Sequence, residues 1–120
     1  MPREKTGETR SFVCAVDLGG TNLRAANIDN VGTIRDRFKI KTPASEDTND
    51  ILNAIEFALS RCDSGASQRG AHVSALSVVV PGSLHRETGV IVNAPNVPAI
   101  VNKNLDESLK RRTNLPVLIE

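Results

Sequence analysis

Short apolar runs and a change of hydrophobic period divide this chain of 120 residues into elements. Residues 12–18, 22–29 and 33–42 read as three strands with very short links. Short links between consecutive strands imply an antiparallel meander. Asn30-Val31-Gly32 carries the residue types that turns favour. Residues 43–47 break the pattern. Residues 48–61 then place Ile51, Leu52, Ile55, Ala58 and Leu59 at helical spacing, which predicts one buried stripe, with Asp47 or Thr48 as the cap. Residues 63–70 read as a polar loop. Residues 73–80 read as the next strand, with Val78-Val79-Val80 buried on both faces. Residues 83–86 and 90–93 form a hairpin around Glu87-Thr88-Gly89. Residues 94–98 are a rigid connector. A second helix covers 105–112, with Asn104 and Glu107 in capping-box positions. Residues 115–120 open a last strand. The order β-β-β-α-β-hairpin-α-β predicts a mixed α/β sheet with helices packed on it.

Composition narrows the function without naming one. A chain of this length supports one domain. The hydrophobic fraction is 39%, but aromatics are only 2%, so Val, Ile, Leu and Ala must form the core. The formal net charge of +1 gives no support for a nucleic-acid or anionic-membrane partner. No apolar run approaches a membrane span, and residues 1–11 read as a flexible polar leader without a signal-peptide core. Cys14 and Cys62, without metal-ligand spacing, fit reduced buried thiols of a cytoplasmic protein.

The candidate chemistry lies at the first hairpin, Asp17-Leu18-Gly19-Gly20-Thr21-Asn22. Glycines permit positive φ and close backbone approach, and successive N–H groups in such a turn form an anion-binding concavity. Thr21 can donate to a phosphate oxygen, and Asp17 can hold Mg²⁺ directly or through water. The same residues also suit an ordinary hairpin turn. The loop is neither a Walker motif nor a dinucleotide fingerprint, because no Lys-Ser/Thr follows and the next segment reads as strand. His85, just after Pro81-Gly82, is a candidate base, but a hairpin histidine is also expected on the surface. His72 attracts no role.

The hairpin resembles the first phosphate loop of the sugar kinase, actin and heat-shock chaperone superfamily. Val80-Pro81-Gly82, Glu87-Thr88-Gly89-Val90, Asn93-Ala94-Pro95-Asn96-Val97-Pro98 and Leu115-Pro116-Val117-Leu118-Ile119-Glu120 narrow this. In that order they resemble the N-terminal domain of ROK-family sugar kinases, nearest the bacterial glucokinases, over residues 13–120. Val79 departs from the family's Gly-x-Pro-Gly at the second turn.

The resemblance implies an RNase H-like domain, residues 12–120, forming one half of a two-domain ATP-dependent hexose kinase. It implies phosphate contacts from Gly19, Gly20, Thr21, Asn22 and Arg24, and a metal role for Asp17. It places Pro81, Gly82 and Asn96 at the sugar site, although Asn96 also suits a plain turn. It places no catalytic base within the chain: the general-base Asp is expected two positions beyond Glu120. A C-terminal domain, a structural zinc within it and homo-oligomer formation are further implications. So are ATP or polyphosphate as donor and a choice of sugar set by residues outside this chain. Sugar-responsive repressors and non-catalytic sugar-binding modules of the same family are the alternative readings.

Overall fold

A computed structural model describes residues 10–120. Three antiparallel strands open it: β1 (Arg10–Leu18), β2 (Asn22–Ile28) and β3 (Ile34–Lys41). Helix α1 (Thr48–Gln68) leads to β4 (Ala71–Val79). A small hairpin follows, β5 (Ser83–Leu84) and β6 (Ile91–Asn93). A 3₁₀ turn (Pro98–Ile100), α2 (Leu105–Thr113) and β7 (Val117–Ile119) complete the chain. The main sheet has the order β3-β2-β1-β4-β7. β1 and β4, and β4 and β7, are parallel, while β1–β2 and β2–β3 are antiparallel. The mixed sheet read from the residues is therefore the fold.

Period two in the strands decides which side chains face α1. Phe12, Cys14, Val16 and Leu18 alternate inward from β1. Leu23 and Ala25 join them from β2, and Leu76 and Val78 from β4. α1 meets them with Ile51, Leu52, Ile55, Ala58, Leu59, Cys62 and Ala66. Burying such side chains stabilises by about 1.5–3 kcal/mol each relative to exposure. Leu105 and Leu109 anchor α2 to the same core.

Several details differ from the sequence reading. Arg10 and Ser11, read as the end of the 1–11 leader, belong to β1 because they pair with Ala71 and His72, and the rest of that leader lies outside the described residues. α1 runs to Gln68, so residues 63–68 are helix rather than loop. Cys62 and Ala66 continue the buried stripe, and Gly65 leaves room for Asp36: a Cβ there would lie 2.7 Å from the Asp36 Cγ. Val79 is 48% exposed, so the Val78-Val79-Val80 run is buried on one face only. β7 is confined to Val117–Ile119.

The turns match their residue chemistry. Asp29 accepts from the Val31 and Thr33 N–H groups, and Gly32 takes a φ of 88°. Gly89 takes 76° in the small hairpin. Asp47 caps α1 by accepting from the Asn49 N–H at 2.9 Å. Asn104 caps α2 by accepting from the Glu107 N–H. The Glu107 carboxylate turns to Arg111 instead of closing a capping box.

A polar cluster runs from the core to the surface between β2, β3 and the end of α1. Asn27, fully buried on β2, donates to the Cys62 carbonyl on α1 and to Asp36 on β3. Arg69 donates to the same carboxylate. The Arg69 guanidinium first, and then Asn27, hold the Asp36 carboxyl below its usual range. The Cys14 and Cys62 thiols are both buried and free. The hydrogen bond with Cys62, followed by burial, pushes the Cys14 thiol well above its ordinary range.

Candidate functional site

The parallel strands β1, β4 and β7 all run toward one edge of the sheet, and the candidate residues gather there. Ligands of open α/β sheets bind outside the carboxyl ends of the strands. Asp17 and Leu18 end β1. Val80, Pro81 and Gly82 follow β4. Glu120 follows β7 and is tied to β4 by its N–H to Val78 and by the Val80 N–H to its carbonyl.

Asp17 is exposed and stands on the sheet face opposite α1, because its neighbours Val16 and Leu18 take the buried face. Its partner across the antiparallel pair is Arg24, also exposed. An acid and a base thus flank the mouth of the loop. Among the described residues, no cluster of three His, Cys, Asp or Glu side chains could hold a metal ion by itself. A lone exposed carboxylate suits Mg²⁺, which binds through one or two carboxylates together with substrate phosphates and water.

Gly19, Gly20, Thr21 and Asn22 make the turn. Neither glycine has a positive φ, so conformational freedom is not why they are glycines. Close approach is the reason. A Cβ on Gly19 would lie 2.8 Å from the Asn22 carbonyl oxygen. A Cβ on Gly20 would lie 2.8 Å from the Asn96 Cβ and 3.0 Å from its carbonyl oxygen. The turn is joined by the Gly19 N–H donating to the Asn22 carbonyl at 2.9 Å. Gly20 and Thr21 are exposed, and among the described residues their N–H groups donate to no protein acceptor. Unpaired neighbouring N–H groups at an exposed tip are what an anion requires.

The second turn is tight, with the Gly82 N–H bonded to the Val80 carbonyl. A Cβ on Gly82 would lie 1.8 Å from the Asn93 carbonyl oxygen. The glycine is required by the facing β6 backbone, not by an open approach to a ligand. Asn96 is exposed and lies against Gly20, so the phosphate-loop candidates and the sugar-rim candidates touch.

The two histidines differ in place: His85 lines a concavity with Ile119 and Glu120 at the end of β7, whereas His72 lies at the opposite end of β4. His85 is an exposed hairpin residue whose N–H bonds the Val90 carbonyl and whose Nδ1 accepts from the Thr88 N–H. His72 is exposed on β4. Thr42 was not singled out by sequence reasoning. It is buried, donates its hydroxyl to the Gly19 carbonyl at 2.7 Å, and donates its N–H to the Thr21 carbonyl at 2.9 Å. The only local signal was a hydroxyl residue immediately before Pro43.

Comparison with known proteins follows this geometry. The ROK family model matches residues 13–120. An N-acetylmannosamine kinase from Shigella flexneri is 33% identical over 106 residues, covering 88% of this chain and 34% of that protein. A ROK family glucokinase from Streptomyces griseus, solved with glucose and AMPPNP, is 30% identical with a TM-score of 0.75, covering 91% of this chain and 32% of that one. A ROK hexokinase from Thermus thermophilus is 28% identical with a TM-score of 0.79, over 91% of this chain and 34% of that one. The chain spans about a third of the length of these relatives. With the family pattern running through both edge turns and the sheet that carries them, this chain belongs to the ROK family.

Proposed function

We propose that this chain forms the phosphate-binding and sugar-rim half of an ATP-dependent hexose kinase of the glucokinase type. The reaction transfers the ATP γ-phosphate to the 6-hydroxyl of glucose or a related sugar. One observation carries the reading: Asp17, the 19–22 turn with the unpaired Gly20 and Thr21 N–H groups, Arg24, the 81–82 turn and Asn96 converge on the carboxyl edge of one sheet.

Phosphoryl transfer depends mainly on positioning and electrostatic stabilisation. The Gly20 and Thr21 N–H groups would hold phosphate oxygens, and the Thr21 hydroxyl and the Arg24 guanidinium would add charge-assisted donors. Mg²⁺ bound near Asp17 would neutralise phosphate charge. Pro81, Gly82 and Asn96 would bound the sugar on the opposite side of the same turn. The base that accepts the hydroxyl proton falls beyond Glu120 in this reading. A hydroxyl needs such a base within hydrogen-bond reach. A second domain would close the cleft, and its zinc, pairing into oligomers and cytoplasmic location belong to the same proposal. Among the described residues no helix is long and apolar enough to cross a membrane.

The test is ADP release by the full-length protein, with glucose and with N-acetylmannosamine as acceptors. Sugar-dependent turnover that falls roughly 100-fold in Asp17→Ala is the expected result, in the range for losing one electrostatic group of a transition-state clamp. Unchanged turnover in that variant would remove Asp17 from the metal site. Salt-dependent binding to duplex DNA without sugar-dependent turnover would place the protein with the family's regulators.

A further inference from the structure

We propose that Thr42 is a positioning residue that holds the 19–22 turn open for an anion. This rests on reading that turn as a phosphate loop. Gly19 and Asn22 are the last opposed pair of the β1–β2 hairpin, one step beyond the Leu18–Leu23 pair. An opposed pair of this kind ordinarily exchanges two hydrogen bonds, N–H to carbonyl in each direction. Here only one forms, from the Gly19 N–H to the Asn22 carbonyl. The Gly19 carbonyl instead accepts the Thr42 hydroxyl at 2.7 Å. The Gly19 carbonyl is thus directed to Thr42, and the bond that would have closed the turn, from the Asn22 N–H to that carbonyl, is not made.

Peptide planarity carries the consequence to the ligand side. In a trans peptide the carbonyl and the following N–H point in opposite directions. No cis peptide bond is present among the described residues. Anchoring the Gly19 carbonyl to Thr42 fixes the Gly20 N–H on the far side. Anchoring the Thr21 carbonyl to the Thr42 N–H at 2.9 Å fixes the Asn22 N–H in the same manner. One residue thus orients two of the loop's N–H groups without touching the ligand. Thr42 can do this because it is itself held. It is buried, it follows the last residue of β3, and Pro43 limits its backbone to extended conformations. The loop's other flank, Gly20, is packed against Asn96. The turn is clamped between the end of β3 and the 94–98 connector, and the Gly20 and Thr21 N–H groups are left without a protein acceptor among the described residues.

The hydroxyl can be removed with little change of shape. Thr42→Val keeps the branch and the backbone N–H, while Thr42→Ser keeps the hydroxyl. The measurement is MgADP affinity by titration calorimetry on the full-length protein, together with the thermal midpoint of each variant. Thr42→Val is expected to weaken MgADP binding about tenfold, the loss of one ordering hydrogen bond, and Thr42→Ser to restore it. The amide of Gly20 should show a smaller MgADP-induced NMR shift in Thr42→Val than in the wild type. Wild-type affinity in Thr42→Val overturns the role of Thr42 while leaving the phosphate-loop reading intact. Absence of MgADP binding by the wild-type protein overturns both. Weakened binding in Thr42→Ser equal to that in Thr42→Val also overturns the inference, since the hydroxyl would then not be the agent.

Discussion

Asp36 shows how a single residue can be set by contacts distant in sequence. Its φ of 58° lies in the left-handed region, which an L residue with a Cβ adopts at a cost. Asn27 and Arg69 recover that cost by donating to its carboxylate, from positions 9 and 33 residues away. The Arg69 guanidinium, then Asn27, lowers the carboxyl below its ordinary 3.8. A carboxyl depressed in the folded state stabilises fully above its unfolded value, and that stabilisation is lost as pH falls through the folded value. Stability should therefore fall between about pH 5 and pH 2, and this slope should flatten in Asp36→Asn, which tolerates the same backbone. Urea midpoints measured across that range decide it: equal slopes in the two proteins would show that Asp36 is not the titrating group. Neither the strain nor the partners of Asp36 was legible in the sequence, where it sits as one polar residue in an amphipathic strand. The place of Asp17, by contrast, was legible, because the apolar run before it and the two glycines after it mark the end of β1.

At the scale of elements, α1 carries the clearest lesson. Its apolar spacing from Ile51 to Leu59 announces a helix, and the stripe appears as expected. Its last two turns were hidden, because Asp63-Ser64-Gly65 reads as loop composition. The glycine is there for Asp36. Replacing a helix-interior Gly by Ala normally gains about 1 kcal/mol. At Gly65 the new Cβ would lie 2.7 Å from the Asp36 Cγ, whose carboxylate is held from two sides. Overpacking of this kind costs typically 1–3 kcal/mol, so the steric term outweighs the helical one. Gly65→Ala should be destabilised by about 1 kcal/mol in chemical denaturation, and a stabilised variant would mean that Asp36 can move aside. The small hairpin behaves in the opposite way: its turn residues, with Gly89 at positive φ, were sufficient to place it.

For the whole molecule, the two sheet faces differ in a way that organises both stability and site. One face is sealed by α1. The other presents Ala15, Ala26, Ile28 and Val79 around an open concavity of about 670 Å³, with Asp17 and Arg24 at its carboxyl end. The sealed face holds Cys14 on β1 and Cys62 on α1, so both thiols are reached only when sheet and helix separate. The proton on Cys14 is held by its hydrogen bond to Cys62 and by burial. Burial keeps both thiols from a reagent in the folded state, so modification should appear only on unfolding. Labelling by a thiol reagent at pH 8 should follow the opening of the α1–sheet core, remaining negligible in native buffer and completing in denaturant. Rapid labelling of native protein would show that α1 opens locally.

The sequence by itself determined the element order, the buried stripe of α1, the hairpin turns and the family pattern at residues 17–22, 80–82 and 93–98. These are local matters: periodicity, turn chemistry and short spacing are read along the chain. Only the tertiary structure decided that Gly19, Gly20 and Gly82 are glycines because a second backbone or side chain lies against them. It also decided that Val79 faces outward, that the loop at Gly20 touches Asn96, and that Thr42 bonds the Gly19 and Thr21 carbonyls. Each of these joins residues from different elements. Their meeting depends on how the strands order themselves and on which face α1 covers, and that is a property of the packed sheet.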